Sequence, residues 1–156
     1  MAIVNYTRWG GEHNRPGNDD GCFRAALDAV RRWGGVLEHP ANSRAFAAHG
    51  LPAPRGGGWQ RVLDGGWICE VWQSAYGHRA NKATWLYYYG SAPTLALRWE
   101  RPEGTHQIGF HDQRGKAANK PTLNKREANA TPMEFRDALL ALASQAHNSE
   151  INRTAD

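Results

Sequence analysis

A double glycine, Gly34-Gly35, separates two hydrophobic patterns that cannot belong to the same element. Across residues 19–33 the apolar side chains recur every three or four positions, which predicts an amphipathic helix. Val36-Leu37 follows as a short apolar run closed by Pro40, a pattern typical of a buried strand in a parallel sheet. A helix that leads directly into such a strand predicts a crossover unit and an α/β fold.

Further patterns complete one domain over residues 1–147, with a polar tail at residues 148–156 that we expect to fray. Two aromatic, β-branched segments at residues 66–73 and 83–89 predict strands, and residues 59–63 predict a short element. Helix starts are indicated by capping residues, namely Asp19 or Asp20, Asn42 or Ser43, and the run Thr131-Pro132-Met133-Glu134. The predicted fold class is α/β, with a small mixed sheet flanked by helices.

The composition excludes several classes of protein. The two cysteines indicate neither a disulfide framework nor a zinc site, and the seven histidines show no metal-ligand spacing. No glycine-rich nucleotide loop occurs, and no apolar run approaches the roughly 18 residues that span a bilayer. We therefore expect a soluble, cytoplasmic protein that holds no metal and binds no membrane.

The positive charge of the chain favours an anionic partner. The formal net charge is +4 and the sequence pI is about 9.3. Much of the excess lies in one stretch that contains Lys120, Lys125 and Arg126, which we predict to contact nucleic acid. The alternative is that this stretch is an ordinary solvated loop.

Glu38 is the first candidate functional residue because it directly follows Val36-Leu37. The carboxyl ends of buried strands are where open α/β sheets place their ligands. A carboxylate there can accept hydrogen bonds from a base edge, or donate one if it is held protonated. Arg44, in the loop that follows, could then meet a phosphate. The alternative is a local surface pair between Glu38 and Arg44 or His39.

The connection between the two predicted strands is the second candidate region. It gathers Gln73, Tyr76, His78, Arg79 and Lys82 around a glycine turn. The cations can hold phosphates, the aromatic rings can stack on a base, and the amide can read a base edge. The alternative is a solvated hairpin loop.

Three segments together resemble phage-encoded DNA-methyltransferase-like proteins, distant relatives of the cytosine-5 DNA methyltransferases. They are Leu37-Glu38-His39-Pro40, residues 76–86 and residues 125–132. The resemblance implies a partial Rossmann-like methyltransferase fold, with Glu38 as the residue that holds the target base. It also implies that Arg79 and Lys82 belong to the basic element of that family. Asn129, in Asn129-Ala130-Thr131-Pro132, would then lie beside the cofactor.

The same resemblance exposes what the sequence lacks. In that family the S-adenosylmethionine loop and the Pro-Cys nucleophile precede the glutamate element, and here no such segments precede Glu38. We expect a phage or prophage protein that binds DNA or RNA without a cofactor and without completing methylation. One alternative is a subunit of a split DNA methyltransferase, whose partner supplies the S-adenosylmethionine site. Another is an inhibitor of host defence, or a similar protein-interaction module, with Trp59 and Trp67 as exposed anchors.

The predicted sheet also has a consequence for assembly. Half of a methyltransferase sheet would leave unpaired strand edges, which are templates for pairing with another chain. A homodimer or a complex with a partner subunit is therefore expected.

Overall fold

The computed structural model describes residues 19–109 and 120–153. Its strands are β1 (Gly35–Pro40), β2 (Gln60–Arg61), β3 (Trp67–Trp72) and β4 (Ala83–Tyr89). Its helices are α1 (Cys22–Trp33), α2 (Arg44–Ala48), α3 (Lys125–Asn129) and α4 (Met133–Arg153), and a 3₁₀ turn spans Gln73–Tyr76. The predicted strands and helices are thus confirmed, and the mixed α/β composition with them.

Strand β4 organises the sheet because it pairs on both of its sides. The four strands lie in the order β1-β4-β3-β2, and each neighbouring pair is antiparallel. The predicted parallel sheet and crossover unit are therefore wrong, and the antiparallel sheet does not match a Rossmann fold. The apolar run at Val36 and Leu37 misled the prediction. These residues are only half-buried on an edge strand, and they are apolar because helices cover both faces.

Two hydrophobic clusters lie on opposite faces of the sheet. On one face Tyr87 and Trp85 pack with Leu27 of α1 and Phe46 of α2. On the other face the buried residues of α4 pack with alternate residues of β3 and β4, namely Cys69, Val71, Leu86, Tyr88, Phe135, Leu142 and Ala146. This alternation fixes the register, since a shift by one residue would exchange the two faces.

The helix ends follow the predicted capping in part, since the N-cap residue of α1 is Gly21 and Asp19 contributes from two residues earlier. The Asp19 carboxylate accepts hydrogen bonds from the backbone N–H groups of Phe23 and Gly21, which lower the pKa of Asp19. Ser43 caps α2 through the backbone N–H of Ala45. Gly34, which ends α1, has φ 72°, and a Cβ there would lie 3.3 Å from Ala146 Cβ. A glycine is therefore required both by the backbone conformation and by the close approach of α4.

Helix α4 continues further than the sequence analysis expected. It begins at Met133, close to the predicted capping run, but it extends to Arg153 through the segment predicted to fray. Once a helix is nucleated and docked, each added residue gains a backbone hydrogen bond, so polar residues can prolong it. No helix in the described part of the chain is long and apolar enough to cross a membrane.

The chain between β4 and α3 carries one short pairing. Gln107 and Thr122 form an isolated parallel bridge. The Gln107 N–H donates to Pro121 O at 2.9 Å, and the Leu123 N–H donates to Gln107 O at 2.9 Å. This bridge joins the two ends of the segment 110–119, which lies outside the described residues.

Candidate functional site

The side chains of Glu38, Gln73, Lys82 and Thr84 form a polar group that we call the Glu38 site. The Gln73 side-chain amide donates to Glu38 Oε1 at 3.3 Å and to Thr84 Oγ1 at 3.0 Å. Glu38 is opposite Leu86 in the register, so its side chain points to the face that α4 covers. The site therefore joins an edge strand to the 3₁₀ turn that follows β3.

Glu38 is a carboxylate with few partners. Partial burial raises its pKa, and the nearby charges of Lys82 and His39 only offset part of that effect. Neither Arg44 nor His39 forms an ion pair with Glu38 in the described structure, so the predicted alternative of a local surface pair is wrong. The carboxylate thus keeps hydrogen-bonding capacity that the protein does not fill.

Gln73 is almost completely buried, at 1% exposure, and orients the Glu38 carboxylate. Its Oε1 atom has no hydrogen-bond partner among the described residues. Buried amide oxygens are normally satisfied, so this atom is an exception that calls for an explanation. Gln73 was predicted to read a base edge, whereas its side chain lies buried behind Glu38.

Lys82 connects the Glu38 site to the junction between α3 and α4. Its Nζ donates to the backbone oxygens of Ala130 at 2.7 Å and Asn129 at 3.2 Å. Desolvation lowers the pKa of Lys82, and the charge of Glu38 opposes that effect. The two charges attract each other without a direct ion pair in the described structure.

Tyr76 and His78 do not have the roles that the sequence predicted. Tyr76 is buried against Phe135, with ring centroids 5.0 Å apart, and its hydroxyl accepts the Arg98 N–H at 2.9 Å. His78 is also buried; its Nδ1 accepts the Ala80 N–H at 3.0 Å and its Nε2 lies 3.2 Å from Glu127 O. As folded, neither ring presents a face to a base, so the predicted stacking is wrong. The alternative of a solvated hairpin loop is wrong for the same reason.

Two of the predicted phosphate-binding cations already have protein partners. Arg79 donates to Glu127 Oε1 at 2.9 Å and to His106 Nε2 at 2.5 Å. Lys120 donates to Glu103 Oε1 and Gly104 O, both at 2.7 Å. These side chains tie the segment after β4 to α3 and to the connection between β3 and β4.

Three other predicted cations are exposed. Arg44 is the first residue of α2, and Lys125 and Arg126 are the first two residues of α3. None of the three has an ion pair with another residue that the structure describes. Because α3 ends at Asn129, whose carbonyl holds Lys82, Lys125 and Arg126 lie within one short helix of the Glu38 site.

Asn129 does not lie in a site large enough for S-adenosylmethionine. It is exposed, and the neighbouring cavity, lined in part by Ala130, Thr131 and Pro132, has a volume of about 220 Å³. Sites for ligands of drug size usually reach roughly 300 Å³ or more. The residues present therefore do not fit the whole cofactor. The described residues also include no group of three or more His, Cys, Asp or Glu side chains that could hold a metal ion.

Several contributors were missed by the sequence analysis. Thr84, Glu127 and His106 contact predicted site residues from positions distant in sequence. Only Glu127 had a signal, since Asn124 and Glu127 form a capping box at the start of α3. Trp59 and Trp67, predicted as exposed anchors, are half-buried against the hydrophobic cluster on the face of the sheet that α4 covers, so that prediction is wrong.

The arrangement can bind a polar ligand, and neither cysteine belongs to it. Cys69 is buried in the α4 cluster, where desolvation raises the pKa of its thiol, and Cys22 lies exposed on α1. What remains is a carboxylate, a lysine and a buried amide beside two exposed cations. Neither a family model, nor a curated protein, nor a solved structure matches the chain.

Proposed function

We propose that this chain is a phage or prophage protein that binds single-stranded nucleic acid, with an unpaired base at the Glu38 site. The observation that carries the proposal is the unfilled hydrogen-bonding capacity of the exposed Glu38 carboxylate, which Gln73 orients and which lies near the partly desolvated Lys82. The Watson–Crick edge of a base in a duplex is already paired, so contact between that edge and Glu38 requires an unpaired base. The motif resemblance to DNA-methyltransferase-like proteins supports the same role for Glu38.

The chemistry of the site suits a base that carries an exocyclic amino group. An ionised Glu38 accepts hydrogen bonds from such a group, and a protonated Glu38 can also donate to a ring nitrogen. The raised pKa of Glu38 increases the share of the protonated form near neutral pH. Both forms can therefore contribute to base binding.

The exposed cations supply the phosphate contacts. Lys125 and Arg126 lie on α3 beside the site, and Arg44 lies beyond the end of β1. The net charge of +4 agrees with a modest, salt-sensitive affinity. Arg79, Lys82 and Lys120 act first as structural residues in this proposal, since each has protein acceptors.

A salt series with labelled single-stranded DNA and RNA tests the proposal. The double variant Lys125→Ala/Arg126→Ala should weaken binding and reduce the magnitude of the slope of log K against log salt. The expected reduction is about 1.4, which corresponds to the loss of two phosphate contacts on a single strand. The matched control is Arg24→Ala/Arg136→Ala, which removes two exposed cations that already pair with Asp28 and Asp137. An affinity that does not change with salt would contradict the proposal.

Base recognition is tested separately with Glu38→Gln. This variant keeps the shape of the side chain but changes its donors and acceptors, so it should alter the preference among homopolymers while leaving the salt slope unchanged. If the variant and the unmodified chain have the same preference among homopolymers, Glu38 does not contact the base.

A second candidate function is one subunit of a split DNA methyltransferase. It is favoured by strand β1, which ends the sheet and has a strand neighbour on one side only among the described residues. A partner could add strands there, together with the S-adenosylmethionine site and the nucleophile. Cofactor binding by a mixture of the two chains, but by neither alone, would establish this function. Oligomeric state measured in solution would show whether a second copy occupies the edge instead.

A further inference from the structure

Arg79 and Glu127 form an ion pair at the rim of the small cavity beside α3. The Arg79 Nη1 to Glu127 Oε1 distance is 2.9 Å, and the two side chains are 53% and 42% exposed. Both residues line the cavity of about 220 Å³, together with His78, Thr131 and Pro132. A group that entered the cavity would therefore meet the guanidinium and the carboxylate at the same time.

This ion pair is open to competition. Exposed pairs contribute little to stability, because water screens the charges and the side chains lose freedom on pairing. A backbone phosphodiester carries the same single charge as a carboxylate and can accept two parallel hydrogen bonds from an arginine, whereas Glu127 accepts only one, from Nη1. Arg79 would therefore favour a phosphate over Glu127 when one is held nearby.

Arg79 keeps its position without Glu127. Its second terminal nitrogen donates to His106 Nε2 at 2.5 Å, and its backbone oxygen accepts the His106 N–H at 3.0 Å. Gly104 lies closely against the same backbone, since a Cβ there would be 2.5 Å from Arg79 O. The guanidinium is thus held at the rim by the segment after β4, independently of α3.

Glu127 can leave Arg79 without destroying α3. Asn124 Oδ1 accepts the Glu127 N–H at 2.9 Å, a capping bond that does not involve the Glu127 carboxylate. The other carboxylate oxygen, Oε2, lies 3.3 Å from the Asn124 N–H. The carboxylate is therefore shared between a cap and an ion pair, and only the ion pair opposes ligand binding.

We infer that Glu127 is an internal competitor for a phosphate site at Arg79, so that the protein binds a nucleic-acid backbone there only when phosphate displaces Glu127. The inference rests on the proposed function, because it assigns a further phosphate to the same nucleic acid. It also explains why the Arg79 guanidinium is paired in the structure although it lies at the rim of a cavity.

The test is Glu127→Gln, which removes the charge while glutamine still serves in a capping box. This variant should bind labelled single-stranded DNA more tightly at low salt, with a salt slope steeper by about 0.7, one further phosphate contact. Asp28→Asn is the control, since it removes one exposed carboxylate charge on α1, on the other face of the sheet. In the double variant Glu127→Gln/Arg79→Ala the slope should return to that of the unmodified chain.

The outcomes separate this inference from the proposed function. If Glu127→Gln and Asp28→Asn give the same slope, or if the double variant stays steep, Glu127 does not compete at Arg79, although nucleic-acid binding stands. Tripolyphosphate, titrated by calorimetry, is the second probe. If Glu127→Gln binds tripolyphosphate in an Arg79-dependent way while no variant binds an oligonucleotide, the phosphate site stands and the proposed function fails.

Discussion

Two glutamates on opposite faces of the same sheet have contrasting surroundings. The Glu70 carboxylate on β3 accepts the indole N–H of Trp85 at 2.8 Å and that of Trp72 at 3.2 Å, and it pairs with Arg101 at 3.2 Å. The Glu38 carboxylate on β1 accepts one longer bond, from Gln73 at 3.3 Å. A carboxylate whose partners are all supplied by the protein stabilises the fold. One whose partners are missing is available to a ligand.

The comparison shows why charge and location alone do not identify a site. Both residues lie within strands, but the Glu70 side chain is only 17% exposed while Glu38 is open to solvent. Partial desolvation nevertheless raises the pKa of the Glu38 carboxyl group, and the opposing charges of Lys82 and His39 do not cancel this effect. The number of donors around each carboxylate is therefore the feature that separates a structural glutamate from a candidate ligand-binding one.

The largest effect is expected from Glu70→Ala. It leaves two indole N–H groups and the Arg101 guanidinium without their acceptor, so it should lower the free energy of unfolding by about 3 kcal/mol. Glu38→Ala, the matched change, should alter the free energy of unfolding by less than about 1 kcal/mol. Urea unfolding with an unchanged m-value measures both. Equal losses of unfolding free energy in the two variants would show that the protein partners of Glu70 give it no greater structural role than Glu38.

Asp64 offers an intermediate case. It accepts hydrogen bonds from Arg31, Tyr87 and the Gly66 N–H, and these outweigh its desolvation and lower its pKa. Its side chain is 28% exposed, so Asp64→Asn should cost about 1–2 kcal/mol at neutral pH.

The pH dependence of this cost has a definite sign. Asp64 binds its proton less tightly in the folded chain, so its ionisation stabilises the fold above its unfolded pKa and that stability is lost as the pH falls through the folded pKa. The difference between Asp64→Asn and the unmodified chain should therefore narrow below the ordinary value of 3.8. A difference that stays constant across this range would show that the charge of Asp64 is not involved.

Glu38→Gln should give the smallest effect and the opposite sign. Because the folded chain raises the pKa of Glu38, ionisation of this residue opposes folding at neutral pH. The variant should therefore gain a small amount of stability at pH 7, since solvent screens the charge of an exposed side chain. The gain should shrink as the pH falls through the raised pKa and be lost below the ordinary value of 4.5, where the unmodified side chain is protonated in both states. A loss of stability at pH 7 would mean that Glu38 has stabilising partners.

Local features of the fold could be predicted from the sequence because their causes are local. The end of α1 at Gly34 and the cap of α2 at Ser43 depend on neighbouring residues, and both were predicted. The strand content of β3 and β4 follows from aromatic and β-branched residues. Glu38 was predicted at the carboxyl end of a buried strand, whereas it lies within β1, which continues to Pro40 at the edge of the sheet.

The pairing of strands and the burial of polar residues could not be predicted in this way. A short apolar run such as Val36-Leu37 does not specify whether its neighbour is parallel or antiparallel. Tyr76 and His78 lie in a segment rich in polar residues, yet Phe135 and the backbone of Glu127 cover them from far along the chain. Only the tertiary structure reveals that Arg79 and Lys82 are already occupied by α3 and its C-terminal end.

The bridge between Gln107 and Thr122 makes the intervening segment a natural insertion point for protein engineering. Hydrogen bonds between Gln107 and residues 121–123 hold the two flanking positions together without any contribution from residues 110–119. The entropy of closing a loop grows only slowly with its length, so an inserted tag or reporter domain should cost little stability. A specificity module inserted there during evolution would likewise leave the residues of the Glu38 site in place.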